Sequence, residues 1–371
     1  MVENGKIGVR QFTILVVLYT IGDAILILPA ITAGEAKQDA WIVAILSIAV
    51  GLMVLPLYSA VGRLHPDLTL VQLNEKIFGK WLGIIASLLF LSYCFLYAAV
   101  ALREIGDFMT THIMPDTPIE AIHIVFVMII LMATRLGLET IARSAEILFP
   151  WVIILLFILI IFLLPEVKVE KVQPVLEEGF KPILRGSLTF ITYPFVELVV
   201  LMMIFPFVNQ SNKINKSLLI GAGIGGLALA IMITLCLLVL GPDLTARYQF
   251  PSYMLAKKIN IGNFLQRIEA ILAGIWFITL FFRITFYFYS AVLGLAQTLR
   301  LKEYRSLTLP MGVILVNLSL MISPNIVYIG NMSPIWPFYD FTYGILLPLL
   351  LFGVAAMRRF SKGTNDRPYS G

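Results

Sequence analysis

The chain has 371 residues, 59% of them hydrophobic and 13% charged, with a formal net charge of +5. Average soluble domains carry about 25% charged residues, so a chain this apolar lacks the polar surface to cover itself in water. Its basic residues are spread over short loops and form no patch that would grip nucleic acid.

A helix needs about 20 apolar residues to cross the hydrocarbon core. Runs of that kind fall near 11–34, 40–62, 80–111, 118–136, 140–164, 183–208, 216–241, 266–298, 307–323 and 336–357. They predict an all-α integral membrane protein of about ten transmembrane helices, in one transmembrane domain over 1–371. The first run is too long for a signal-peptide core and lacks a small-residue cleavage site, so it reads as a retained span. The ninth is the shortest, and Pro324 and Pro334 fence its exit loop.

Orientation follows from Lys and Arg. One set of connections holds Lys6, Arg10, Arg63, Lys76, Lys80, Arg135, Arg143, Lys213, Lys216, Arg300, Lys302, Arg305, Arg358, Arg359, Lys362 and Arg367. The short connections on the other side hold only Lys37. Basic loops stay inside, so both termini are expected in the cytoplasm, with 358–371 a short cytoplasmic tail. The longer outer loops, 165–182 and 242–265, carry mixed charge. Within the second, 251–265 reads as an amphipathic helix on the surface, with Met254, Leu255 and Ile259 set against Lys257 and Lys258. Segment 166–182 is charged and turn-rich and reads as a connector, a lid or a partner surface.

Charges and prolines deep in an apolar run mark function. The first span has Gly22-Asp23 near its centre and Pro29 beyond, and the sixth has Pro194 and Glu197 near its centre. These are corresponding places if the chain divides into two halves of five spans, about 11–164 and 183–357. Five is odd, so the second half enters from the opposite side. That is the inverted-repeat plan in which broken helices 1 and 6 turn freed backbone groups toward a central ligand.

Other polar groups gather round the same level. In span 3, Tyr93, Tyr97 and Glu104 share a face, while Arg103 and Asp107 form an i,i+4 pair nearer the outer end. Span 8 carries Glu269, Trp276, Arg283, Tyr287 and Ser290 on one stripe, with Thr279 among them. Such a stripe faces the bundle or a cavity. For Arg283 two readings stay open: it neutralises Asp23 or Glu197, or it snorkels toward the cytoplasmic side. Span 7 contains Gly221-Ala222-Gly223-Ile224-Gly225-Gly226, a formal dinucleotide fingerprint with no strand before it. Its small residues are expected instead to bring two helices close.

Cys94 and Cys236 lie inside apolar runs and read as free thiols, and His65, His112 and His123 show no metal-ligand spacing. With no nucleophile–base pair, P-loop or zinc motif, enzyme function is not expected, and no cofactor or metal is called for.

Several segments carry a resemblance. They are Arg103 with Met114-Pro115-Asp116-Thr117-Pro118, Gly137-Leu138-Glu139-Thr140-Ile141-Ala142-Arg143-Ser144-Ala145-Glu146, and Tyr193-Pro194-Phe195-Val196-Glu197. The last is Phe250-Pro251-Ser252-Tyr253 followed by Phe264-Leu265-Gln266-Arg267-Ile268-Glu269 and Trp276. In this order and spacing, from about Gly8 to Phe360, the chain resembles the B subunits of GerA-type spore germinant receptors. Those belong to the amino acid–polyamine–organocation transporter superfamily, whose helices follow the LeuT plan. The resemblance implies a multi-pass protein of the spore inner membrane. It implies partners, an A subunit and a lipoprotein C subunit, and a small germinant, often an amino acid, in the transporter-like pocket. One residue departs from the pattern. A small uncharged residue is expected at the span 1 break where this chain has Asp23, and an acid there repels a ligand carboxylate unless it is neutral or paired with a cation. The departure points to a cationic or uncharged germinant, or a bound ion.

The expected ligand-binding set is Gly22, Asp23, Ala24, Ile25, Tyr93, Tyr97, Thr192, Tyr193, Glu197, Trp276, Thr279 and Arg283. Glu197 is the expected partner of a ligand ammonium or cation. Two other readings use the same chain: a proton- or sodium-coupled amino acid permease, and a scaffold or channel subunit with no ligand.

Overall fold

The computed structural model describes residue 3 and residues 5–259, 269–324, 328 and 335–365. Pro334, the segment 260–268 with the Phe264–Ile268 part of the resemblance, and the tail 366–371 lie outside the described residues. The described residues fold into helices, with one isolated bridge between Ile7 and Val208.

The first span is two helices, α1 (Val9–Ile21) and α2 (Ala24–Ala36), split at Gly22-Asp23. After it come α3 (Ala40–Gly62), the short α4 (Leu70–Phe78), α5 (Lys80–Phe108), α6 (Ile119–Leu136) and α7 (Leu138–Leu163). The sixth span starts as α8 (Phe180–Thr192), loses regular winding at Tyr193-Pro194, and resumes as the tighter 3-10 helix Val196–Met203. Then follow α9 (Ile214–Val239), the short α10 (Pro242–Arg247) and α11 (Pro251–Lys257), α12 (Glu269–Thr298) and α13 (Arg305–Met321). The last span is α14 (Trp336–Phe341), a π-helical turn at Thr342–Leu346, and α15 (Leu347–Asn365).

Among the described residues eight helices are long and apolar enough to cross a membrane, and Val9–Ile21 and Arg305–Met321 are shorter apolar helices. Ala24–Gly62 counts once in that census although it holds half of span 1 and all of span 2, so the ten expected spans are all present. Burial follows this plan. α1 is enclosed from Ile14 to Ile21, and α12 is buried along most of its length. By contrast, Met53, Trp81, Met128, Ile147 and Phe157 on α3, α5, α6 and α7 are exposed. Water would not tolerate so large an apolar belt on a monomer; lipid does.

α9 lies against α1 because its glycines let it. A Cβ at Gly221 would come within 2.7 Å of the Val16 Cβ, and one at Gly225 within 2.6 Å of the Thr20 Cβ. The glycine-rich run is therefore a packing face, as its spacing suggests.

The loop over 165–182 fastens the chain just past the second half of span 1. The Leu176 amide donates to both Asp39 carboxylate oxygens (3.0 and 3.1 Å), Gln38 donates to the Pro174 carbonyl (3.0 Å), and Lys37 pairs with Glu178 (2.5 Å). The expected surface helix over 251–265 is corrected over 251–259, while 260–265 lies outside the described residues. The helix spans Pro251–Lys257, and Pro251, Ser252, Tyr253, Leu255 and Ala256 are buried. Ser252 donates to the Ile25 carbonyl (2.6 Å). An amphipathic pattern reports an apolar face but not whether protein or lipid covers it, and here α2 and α9 cover it.

Gly225→Leu should lower the thermal midpoint of the purified chain in detergent, since overpacking a close contact costs about 1–3 kcal/mol. Gly223→Leu, where an added Cβ meets only Leu52 at 4.0 Å, should leave the midpoint near that of the parent. Equal midpoints for the two variants would show that the α1–α9 contact is loose.

Candidate functional site

The two helix breaks lie side by side, and one side chain joins them. α1 ends at Ile21, so the Tyr19 carbonyl loses its intrahelical donor. On span 6, α winding ends at Thr192 and the 3-10 helix begins only at Val196, which leaves the Tyr193 carbonyl without a helical donor. Arg283 of α12 reaches both. Its Nη1 donates to the Tyr19 carbonyl (3.3 Å) and its Nη2 to the Tyr193 carbonyl (3.0 Å). Its Nε lies 3.0 Å from Asp23 Oδ1, and Nη2 also pairs with the Glu197 carboxylate. The rings of Tyr19, Tyr193 and Tyr287 stand 5.2, 5.0 and 5.9 Å from its guanidinium carbon. The side chain is 1% exposed, so Arg283 does not snorkel; it neutralises both acids at once.

Gly22 makes room for this. Its φ of +37° disfavours other residues, and a Cβ there would sit 2.4 Å from Arg283 Cδ. Hydroxyls complete the shell. Tyr193 donates to Asp23 Oδ2 (3.0 Å), Thr279 to the Gly22 carbonyl (2.8 Å), Tyr19 to the Glu197 carbonyl (3.2 Å), and Tyr287 to the Glu197 carboxylate. Glu104 of α5 faces Asp23 directly.

A second polar group sits across α5. Asp340 of α14 is fully buried and accepts from Tyr93 (3.2 Å) and from Tyr97. The Tyr97 and Tyr287 ring centroids are 5.5 Å apart, so this cluster touches the first. Just beyond Asp340, the π-helical turn brings Gly344 against Val196, where an added Cβ would meet the Val196 carbonyl at 2.7 Å. Tyr58 of α3 donates to the same carbonyl (2.8 Å). Single π-helical turns recur at functional places in helices.

Of the twelve expected residues, Gly22, Asp23, Tyr193, Glu197, Thr279 and Arg283 converge on one point. Ala24 is buried beside them at the start of α2. Tyr93 and Tyr97 join through Asp340. Thr192 donates to the Thr189 carbonyl within its own helix (2.9 Å) and also reaches Asp340. Ile25 presents a carbonyl already taken by Ser252. Trp276 stands two turns along α12, edge-on to Phe108 (4.7 Å) and tilted against Phe277 (5.4 Å). Glu197 already holds a cation, from within the chain, and Asp23 meets the condition set by its departure from the family pattern, since it is paired. The Arg103–Asp107 pair is present at 3.0 Å. Asp340 was missed although the rule that flags acids in apolar runs applies to it. Among the described residues no group of three or more His, Cys, Asp or Glu is placed to hold a metal ion, and Cys94 and Cys236 are free and buried.

Asp340→Ala would strand the buried Tyr93 and Tyr97 hydroxyls, at about 1–3 kcal/mol for each unsatisfied group. Thermal unfolding should show a clear loss, and Asp340→Asn, which keeps an acceptor, a smaller one. Identical losses would mean that the hydroxyls are not held by this carboxylate.

A family model described as spore germination protein matches residues 6–327. The chain is similar to spore germination protein KB of Bacillus subtilis (strain 168), with 30% identity over 362 residues, 96% of each chain. It is also similar to spore germination protein A2 of the same organism, at 26% identity over 95% of this chain and 96% of that one. Among solved structures, the crystal structure of MhsT in complex with L-phenylalanine matches at TM-score 0.67 and 15% identity, covering 94% of this chain and 88% of that one. Mhp1, a nucleobase-cation-symport-1 family transporter in a closed conformation, matches at TM-score 0.61 and 13% identity, covering 86% of this chain and 72% of that one. These neighbours fix the fold as LeuT-like, with broken helices 1 and 6. With its site geometry, near-complete family match and transporter fold, the chain belongs to the spore germination protein family, as a receptor or transporter rather than an enzyme.

Proposed function

We propose that the chain is the germinant-sensing membrane subunit of a spore nutrient receptor. It binds a small polar nutrient, of the amino acid class, at the bilayer midplane. It then signals to an A subunit and a lipoprotein C subunit to start germination. The carrying observation is that two broken helices meet at one buried polar centre. Glu104 Oε2, Glu197 Oε1 and Asp340 Oδ2 are buried there without a hydrogen-bond partner among the described residues. Such acceptors suit the donors of an ammonium group. Ala24 offers backbone groups beside the Gly22 break, and Tyr97, Thr192, Glu197 and Thr279 offer side chains. A ligand shifts the two breaks only as far as its affinity for the two arrangements differs.

The same reading takes the chain as one transmembrane domain in the spore inner membrane, with halves near 11–164 and 183–357. Both termini and the tail 358–371 face the cytoplasm, in line with the distribution of Lys and Arg. The second reading, a proton- or sodium-coupled amino acid permease, draws on the likeness of fold to MhsT, whose structure holds L-phenylalanine.

Spores carrying Gly22→Leu or Glu197→Ala should lose the response to the nutrient sensed through this chain and keep the response to a nutrient sensed elsewhere. Immunoblots should show the variant proteins in the membrane. Unchanged responses would refute the pocket. Concentrative uptake of a labelled amino acid by vesicles holding this chain alone would favour the permease, and saturable binding without flux the receptor.

A further inference from the structure

We propose that Arg283 is the resident cation of this pocket, filling the place a free metal cation would otherwise take between the broken helices, so that the folded state needs no sodium or potassium. The inference does not depend on whether the chain senses its ligand or carries it.

The helix breaks expose oxygens from two directions, and a hard cation at that point would need those oxygens as ligands. Four of the oxygens that converge there face the guanidinium: the Tyr19 and Tyr193 carbonyls and Glu197 Oε2 through hydrogen bonds, and Asp23 Oδ1 as an ion pair at 3.0 Å. The planar fork is what makes this a single-residue solution, since it donates in three directions at once. Access is built in as well. The stem passes where Gly22 has no side chain, and Tyr19, Tyr193 and Tyr287 line it as a cation-holding aromatic wall. The other two acids lie in the field of the guanidinium without bonding to it, Glu104 facing Asp23 and Asp340 bonded to Tyr97. A metal ion entering at that point would have to displace the guanidinium or meet its positive charge at close range; Glu104 Oε2, Glu197 Oε1 and Asp340 Oδ2 are the acceptors left over for a ligand.

The test is thermal unfolding of the full chain in lipid nanodiscs, in sodium chloride, potassium chloride and choline chloride at matched ionic strength. The wild type should give one midpoint in all three. Arg283→Lys should melt lower, without gaining a preference among the salts. Arg283→Ala leaves two buried carboxylates around a guanidinium-shaped space. It should melt lower still and regain several degrees, saturably, with methylguanidinium chloride at concentrations that do not shift the wild type. A saturable rise of the wild-type midpoint with sodium or potassium over choline would overturn the proposal. So would an Arg283→Ala protein that folds and ignores methylguanidinium. If that variant does not accumulate, the wild-type and Arg283→Lys salt series decide alone.

Discussion

A guanidinium left unpaired inside a bilayer is costly, and so is a backbone carbonyl cut loose from its helix. At the centre of this chain the two costs cancel. Arg283 supplies the donors that Tyr19 and Tyr193 lost when spans 1 and 6 were interrupted, and Asp23 and Glu197 supply the countercharge. Removing one partner of such a buried set costs about 3–5 kcal/mol. That is enough to hold two irregular segments in one arrangement and to make any rearrangement a change between discrete states.

The breaks themselves were legible in the sequence. A Gly-Asp step and a Tyr-Pro step inside apolar runs have few structural explanations, and their matching positions added a second, independent sign. The ten spans were legible because length and hydropathy act over whole segments. What sequence could not settle was depth and partner. The stripe on α12 gave the rotational position of Trp276 and Arg283 equally well, yet one enters an aromatic cluster with Phe108 and the other joins the ion network. Helical periodicity fixes a face and not a neighbour. For the same reason the short helix after Phe250 read as interfacial: its apolar face is real, but α2 occupies it through Ser252 and Ile25.

Asp340 extends the network to the last span and changes how the site holds together. Spans 1, 3, 6, 8 and 10 are tied by a continuous set of contacts. It runs from Asp23 through Arg283, Glu197 and Tyr287 to Tyr97 and Asp340. The span at each end of that series has lost regular α winding, by a full break at Gly22 and by a π-helical turn at Thr342–Leu346. Irregular backbone beside a buried polar cluster can re-pair its hydrogen bonds with little net loss, whereas continuous helix cannot.

α12 carries this centre to one end of the bundle. Two turns from Arg283, Tyr289 donates to Glu3 (2.9 Å), and Tyr304 donates to the same carboxylate oxygen (3.0 Å). The segment after Glu3 is strapped across the bundle. The Ile7 amide donates to the Phe207 carbonyl (2.9 Å), and the Asn209 amide donates to the Ile7 carbonyl (2.9 Å). Phe207 lies a few residues past the 3-10 helix that begins at Val196. The strap therefore touches both α12 and the far end of span 6, the two elements that also meet at Arg283 and Glu197. Arg283 with Glu197 at the pocket, and Glu3 with Ile7 at the strap, thus join α12 to span 6 at two separate places.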